Sequence, residues 1–205
     1  MAMVRSKICG ITNAEDAKAA ARAGADAIGL VFYEKSTRCV KIAQAQEILR
    51  VVPPFVGVVG LFVNADSATI HAVLEACALD ILQFHGDETP AFCRSFGRPY
   101  LKALRVTGDE DLRAPVDAYY DAQGLLLDCA VPGHWGGTGQ SFPWWCLPDL
   151  GKPLILAGGL RPDNVREAVQ LAQPYAVDVS SGVEQSPGIK DHDKMLQFVA
   201  QLKGF

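Results

Sequence analysis

The feature that most limits how this chain can fold is a recurrence of pattern. A short apolar run, a turn, a stretch with helical spacing and another turn follow one another eight times, at a period of roughly 25 residues. The apolar runs fall at residues 7–11, 26–33, 55–63, 81–85, 100–106, 124–129, 153–157 and 176–180. Most are apolar at consecutive positions, as expected of strands buried on both faces in a parallel sheet. The helical stretches are expected from the cap at Thr12-Asn13 to residue 23, at 43–51, from Asp66 to residue 78, at 88–96, 162–172 and 191–202. Weaker ones are expected at 109–118, interrupted by Pro115, and at 144–150.

Alternation of this kind suits a closed barrel or an open doubly wound sheet. An open sheet usually carries G-x-G-x-x-G after its first strand, and Cys9-Gly10-Ile11-Thr12-Asn13 has no such run. No linker or low-complexity segment separates the units. The chain is therefore expected to be α/β, a single (β/α)8 TIM barrel domain over residues 1–205, at the short end of that fold's range.

Composition narrows the function classes. A formal net charge of −4 gives no reason to expect nucleic acid or an anionic membrane as partner. Any bound anion must then be held by local geometry. No apolar stretch reaches the ~18 residues of a membrane span, and the longest, 51–63, contains Pro53, Pro54 and two glycines. No signal-peptide core follows the N-terminus. The 6 cysteines include no C-x-x-C pair and no zinc spacing, which predicts a reduced, cytoplasmic protein without a metal. A thiol redox protein ranks last for the same reason.

In a barrel of this class the chemistry sits where the strands exit. The exits present Cys9, the loop with Arg38, His85, Arg105, Asp128, Gly158-Gly159 and Ser180-Ser181-Gly182. The last two loops, after the seventh and eighth strands, stand where such barrels bind phosphate with backbone N–H groups. Glycine lets the backbone approach an anion, and serine adds a hydroxyl. Gly158, Gly159, Ser180, Ser181 and Gly182 are the candidate phosphate residues, against the blander reading that glycines simply end strands. Asp128 has no helix immediately after it to cap, which favours a chemical role. Cys9 alone is ambiguous, because cysteine is among the most buried residue types.

Taken in order, Lys7-Ile8-Cys9-Gly10-Ile11-Thr12, Gly29-Leu30-Val31-Phe32-Tyr33 with Ser36-Thr37-Arg38-Cys39-Val40, Gln83-Phe84-His85-Gly86, Leu126-Leu127-Asp128 with Gly136-Gly137-Thr138-Gly139, Leu156-Ala157-Gly158-Gly159-Leu160 and Asp178-Val179-Ser180-Ser181-Gly182-Val183-Glu184 resemble the phosphoribosylanthranilate isomerase family. The resemblance spans nearly the whole chain. It implies an Amadori rearrangement in tryptophan biosynthesis, taking an N-phosphoribosyl aminoaldose to the corresponding 1-amino-1-deoxyketose. By similarity Asp128 is the general acid on the ring oxygen and Cys9 the general base at C2. Arg38 is expected to receive the substrate carboxylate, and His85 and Asp178 to lie against the substrate. His85 also reads as a buried, hydrogen-bonded histidine.

Those roles set requirements. Asp128 has to hold a proton near neutral pH. Cys9 has to work as a thiolate, stabilised by strand-end dipoles or Lys7. The expected partner is a small phosphorylated substrate, with no cofactor, in a monomer or homodimer. Two loops depart from the family's usual pattern: Thr37 and Cys39 flank Arg38, and Gln140 and Pro143 replace the usual lysine and aspartate after the glycine cluster. Rivals are another phosphate-binding barrel isomerase or epimerase, including one serving two aminoaldoses, and a non-catalytic phosphate-ligand module. Metal-using epimerases need histidine clusters at strand ends, and only His85 falls there.

Overall fold

A computed structural model describes residues 4–106, 112–129 and 151–204. Eight parallel strands close into a barrel in chain order: β1 (Arg5–Cys9), β2 (Ala27–Val31), β3 (Gly57–Phe62), β4 (Ile81–Phe84), β5 (Tyr100–Val106), β6 (Gly124–Cys129), β7 (Leu154–Leu156) and β8 (Ala176–Val179). β1 pairs with both β2 and β8, which closes the ring. The described helices are α1 (Ala14–Ala23), α2 (Ile42–Leu49), α3 (Ser67–Ala76), α4 (Pro90–Arg94), α5 (Arg113–Ala118), α6 (Val165–Ala172) and α7 (His192–Gln201). The expected helix at 144–150, the glycine cluster 136–139, Gln140 and Pro143 lie outside the described residues.

Local chemistry explains the helix ends. Asn13 accepts from the Asp16 amide and Gly24 closes α1 at φ 94°. Asp66, Thr89 and Asp191 cap α3, α4 and α7 in the same way. These side chains satisfy N–H groups that a helix leaves open at its start. The sequence starts the fourth helix two residues too early, because Glu88 lies outside it and Thr89 is the cap. Glu88 is buried, accepts from the Asn64 and Gly86 amides and pairs with Lys102 at 3.0 Å. Pro115 does not interrupt α5; it occupies the helix's first turn, where no N–H is needed. Pro162 precedes α6, which starts only at Val165 behind Asn164.

The strand facing residue 55 is also shorter than its apolar run. Phe55 stands fully exposed at φ 71°, and β3 begins two residues later. A further element was not expected: β9 (Glu184–Ser186) and β10 (Ile189–Lys190) form a small antiparallel hairpin after β8.

The main core fills the shell between barrel and helices, with Ile8, Ile28, Leu30, Phe62, Leu82, Phe84, Val177 and Phe198 fully shielded or nearly so. A second cluster, Leu101, Ala103, Leu126, Ile155, Ala157 and Ala176, plugs the barrel's interior. Above that plug the inward positions turn polar. Side chains alternate along a strand, so Lys7 lies beneath Cys9, Gln83 beneath His85, and Asp178 beneath Ser180.

Candidate active site

The strand exits surround a cavity of 470 Å³. Of the strand-exit residues singled out in the sequence, Cys9, Asp128, Arg38, His85, Asp178, Gly158, Gly159, Ser180, Ser181 and Gly182 line it, and Arg105, exposed on β5, does not. The lining residues come from β1, β4, β6 and β8 and from the loops after β2, β7 and β8. Ring closure is what gathers them, since adjacent motifs in sequence are separated by whole helices.

Cys9 is 5% exposed. Gly29 on the neighbouring strand makes room for it: a Cβ there would sit 2.7 Å from Cys9 Sγ and 3.1 Å from Lys7 Cε. Burial pushes the Cys9 thiol above its ordinary value; Lys7 opposes this and Asp178 adds to it. Burial thus works against the thiolate that the proposed chemistry needs, and the Lys7 charge works for it. Lys7 itself donates to Asp178 Oδ1 at 2.8 Å, and both side chains are buried. Burial alone would lower Lys7, but the charges of Asp178 and Cys9 outweigh it and keep the ammonium protonated. The register places these two directly opposite each other across β1 and β8. Asp178 thus lines the cavity with one oxygen already engaged.

Asp128 is 6% exposed, at the tip of β6. Its Oδ2 lies 3.1 Å from His85 Nε2, and His85 Nδ1 lies 2.9 Å from Gln83 Nε2. The hydrogen-bonded reading of His85 holds, the ring being part-buried, and its partner is the candidate acid.

Arg38 is held by Glu184 through two bonds, Nε to Oε1 and Nη2 to Oε2, each 2.7 Å. Lys190 Nζ reaches the same Oε1 at 2.9 Å. Burial pushes Glu184 up, but the hydrogen bonds and charges of Arg38 and Lys190 outweigh it and hold the carboxyl below the usual glutamate value. Two cations and one anion leave an excess positive charge. No described residue accepts from Arg38 Nη1, so a fork half remains for a carboxylate.

Gly158 and Gly159 follow β7 at φ 87° and 66°, conformations that favour glycine. Gly182 also has a packing role. A Cβ there would come 1.8 Å from the Leu160 carbonyl oxygen, so its missing side chain lets the two loops pack together. No described residue accepts from the backbone N–H of Gly158, Gly159, Ser181 or Gly182. Both loops line the cavity. Among the described residues no cluster of histidine, cysteine or carboxylate side chains could hold a metal. No helix is long and apolar enough to cross a membrane.

Glu184, Lys190 and Gln83 carry no role in the sequence reading. Polar residues two positions before Cys9 and His85, inside otherwise apolar strands, are the signal that marks Lys7 and Gln83. Nothing local marks Glu184 or Lys190, which act through a hairpin.

Comparisons with known proteins agree with this geometry. Residues 6–201 match the family model for N-(5'-phosphoribosyl)anthranilate (PRA) isomerase. The N-(5'-phosphoribosyl)anthranilate isomerase of Acidithiobacillus ferrooxidans is 68% identical over 204 residues, covering 100% of both chains. The phosphoribosyl anthranilate isomerase structure from Thermotoga maritima superposes with a TM-score of 0.91 at 42% identity, covering 99% of this chain and 100% of that one. A structure of such an isomerase in complex with reduced 1-(o-carboxyphenylamino)-1-deoxyribulose 5-phosphate matches at 0.88 and 40% identity, over 99% and 100% of the two chains.

Proposed function

The chain belongs to the N-(5'-phosphoribosyl)anthranilate isomerase family, and from that premise we propose how its own residues divide the work of the rearrangement. The enzyme is an isomerase of tryptophan biosynthesis, converting N-(5-phosphoribosyl)anthranilate to 1-(2-carboxyphenylamino)-1-deoxyribulose 5-phosphate. The observation that carries the assignment is that Cys9 and Asp128, from β1 and β6, open into the same cavity as the two amide loops and Arg38.

The phosphate is received by the amides of Gly158, Gly159, Ser181 and Gly182, with the Ser180 and Ser181 hydroxyls beside them. The carboxylate of the anthranilate ring meets the open half of Arg38. Anchoring both ends lays the ribose across the cavity between Asp128 and Cys9. His85 and Asp178 lie along that path.

Asp128 gives a proton to the furanose ring oxygen. The C1–O bond breaks as the anilino nitrogen's lone pair forms a C1=N double bond, so the opened sugar carries a positive charge on nitrogen. That charge acidifies the proton at C2. Cys9, once ionised, takes it, and the C–H electron pair moves toward nitrogen to give the enolamine. Protonation at C1 and loss of the C2 hydroxyl proton complete the ketose. Burial opposes ionisation of Cys9, and the Lys7 charge beside it favours the anion.

The chain is further assigned to the cytoplasm, as a single domain in a monomer or homodimer; sedimentation separates the two states. The assay that tests the whole reading follows anthranilate fluorescence with purified protein and no added metal or nucleotide. Conversion of phosphoribosylanthranilate is expected to quench it. Unchanged fluorescence with folded protein refutes the assignment.

A further inference from the structure

We propose that Gln83 is a positioning residue which fixes the tautomer of His85 and so keeps the catalytic proton on Asp128. The inference rests on the assignment of Asp128 as the acid. Gln83 is fully buried on β4, one inward position beneath His85. Its Nε2 stands 2.9 Å from His85 Nδ1. An amide nitrogen can only donate, so Nδ1 must accept and carries no proton while that bond lasts. The single ring proton then sits on Nε2, which donates to Asp128 Oδ2 at 3.1 Å.

The orientation has a visible cost. Gln83 Oε1 is the one buried side-chain nitrogen or oxygen among the described residues with no partner. Turning the amide over would bring Oε1 to Nδ1, but would set an NH2 group with two protons where the lone carbonyl oxygen now lies. Under-satisfied carbonyls are the commoner exception in buried sites. The fold tolerates an orphan acceptor in order to aim a donor at the ring.

The consequence is chemical. A free carboxyl titrates near ~3.9 and a free imidazole near ~6.5, so an acid beside an unconstrained histidine passes its proton to the ring. The resulting carboxylate has nothing to give a ring oxygen. Protonating Nδ1 in this site would set an N–H against the Gln83 N–H, donor against donor. The doubly protonated ring is disfavoured, and a proton on the pair stays with the carboxyl, on the oxygen that His85 does not occupy. The charged and titratable groups sharing the mouth are Arg105 next to Asp128 on β5 and β6, Cys9 and Lys7 on β1, Asp178 on β8, and Lys35 and Arg38 after β2. The hydrogen-bond partner of Nδ1 is Gln83.

The test uses the full chain labelled with 15N-histidine, the His85 signals being identified by their loss in His85→Asn. The expected native spectrum shows Nε2 protonated and Nδ1 bare through neutral pH. A native Nδ1–H, or a doubly protonated ring, overturns the proposal. Gln83→Glu offers Nδ1 an acceptor, so both nitrogens are expected to be protonated. The same variant should lower kcat about tenfold or more, within the range set by general acid catalysis, with KM nearly kept. Because a buried carboxylate can unfold the barrel, Gln83→Met removes the donor without adding charge. It is expected to release the tautomer into a mixture and to move the descending limb of the kcat–pH profile to lower pH. Lost turnover in Gln83→Met with the native tautomer intact would mean a purely structural role and overturns the proposal. Failure of the acid assignment is a separate result: full turnover in Asp128→Asn beside the expected native 15N spectrum.

Discussion

Arg38 and Glu184, 146 residues apart, meet through two parallel N–H···O bonds of 2.7 Å each. The pair joins the loop after β2 to the hairpin after β8, across the site that β1 floors. Gly10 permits the crossing, since a Cβ there would lie 2.6 Å from Arg38 Cδ. Gly188 fits the hairpin to the same loop, since a Cβ there would lie 2.8 Å from the Thr37 carbonyl oxygen. The arginine is thus aimed before substrate arrives, which lowers the ordering cost of binding.

Loss of that arginine should act on binding more than on chemistry. Arg38→Ala is expected to raise KM about 10- to 100-fold, from the 1.5–3 kcal/mol of a charge-assisted hydrogen bond, with kcat changing less. Glu184→Gln keeps the shape but leaves Arg38 and Lys190 without their shared anion. It should raise KM in the same direction and lower thermal stability, by up to about 3 kcal/mol for a broken buried pair. Steady-state kinetics and a melting curve check both, and an unchanged KM in Arg38→Ala places the carboxylate elsewhere.

The acid and the base should separate from binding. Cys9→Ala and Asp128→Asn are each expected to reduce kcat about 100- to 10,000-fold, the usual scale for general acid or base removal. Product affinity, measured by calorimetry, should stay close to that of the unmodified chain. Full turnover in either variant refutes its role.

Gly182→Ala tests the packing of the two amide loops. Its Cβ would fall 1.8 Å from the Leu160 carbonyl oxygen, and backbone has to move to admit it. A loss of about 1–3 kcal/mol or more is expected from overpacking, together with a raised KM. Gly97→Ala gives the contrast: it has an open environment but φ 58°, so any loss there reflects backbone strain alone and leaves KM untouched.

Alkaline pH should weaken the fold through a buried thiol. Burial pushes Cys93 up to about 12 from an ordinary 9.0. Between those values the unfolded thiol has lost its proton and the folded one has kept it, so the unfolded state binds fewer protons. Stability is therefore fully present below the ordinary value and falls as pH rises, by at most about 1.4 kcal/mol per pH unit from this group. Urea melts from pH 8 to about 11 should show the decline, and Cys93→Ala should flatten it. Equal slopes for the two proteins would remove Cys93 as the cause.

Much of the barrel was legible from residues alone. The strands at 100–106 and 124–129 carry the bounds read from the sequence, because short leucine-bearing segments between turn residues admit little choice. Asn13, Asp66 and Asp191 announced their helices through the cap chemistry of a short polar side chain. Phe55 misled because an apolar residue beside two prolines reads as strand until its left-handed φ is known. Glu88 misled because an acid before Thr-Pro looks like a first-turn charge, whereas Lys102, fourteen residues later, draws it inside.

The sequence by itself determined the number of strands, the strand exits, and the candidacy of Cys9, Asp128 and Arg38, since each depends on periodicity or on a motif only a few residues long. Tertiary structure alone decided what surrounds them: that burial pushes the Cys9 thiol up, that Lys7 pairs with Asp178, that Glu184 grips Arg38, and that Gln83 faces Nδ1 of His85. These depend on burial and on contacts between strands that are neighbours only once the ring is closed. Hydrogen bonding and desolvation act over a few ångströms of space, and distance along the chain carries no information about either.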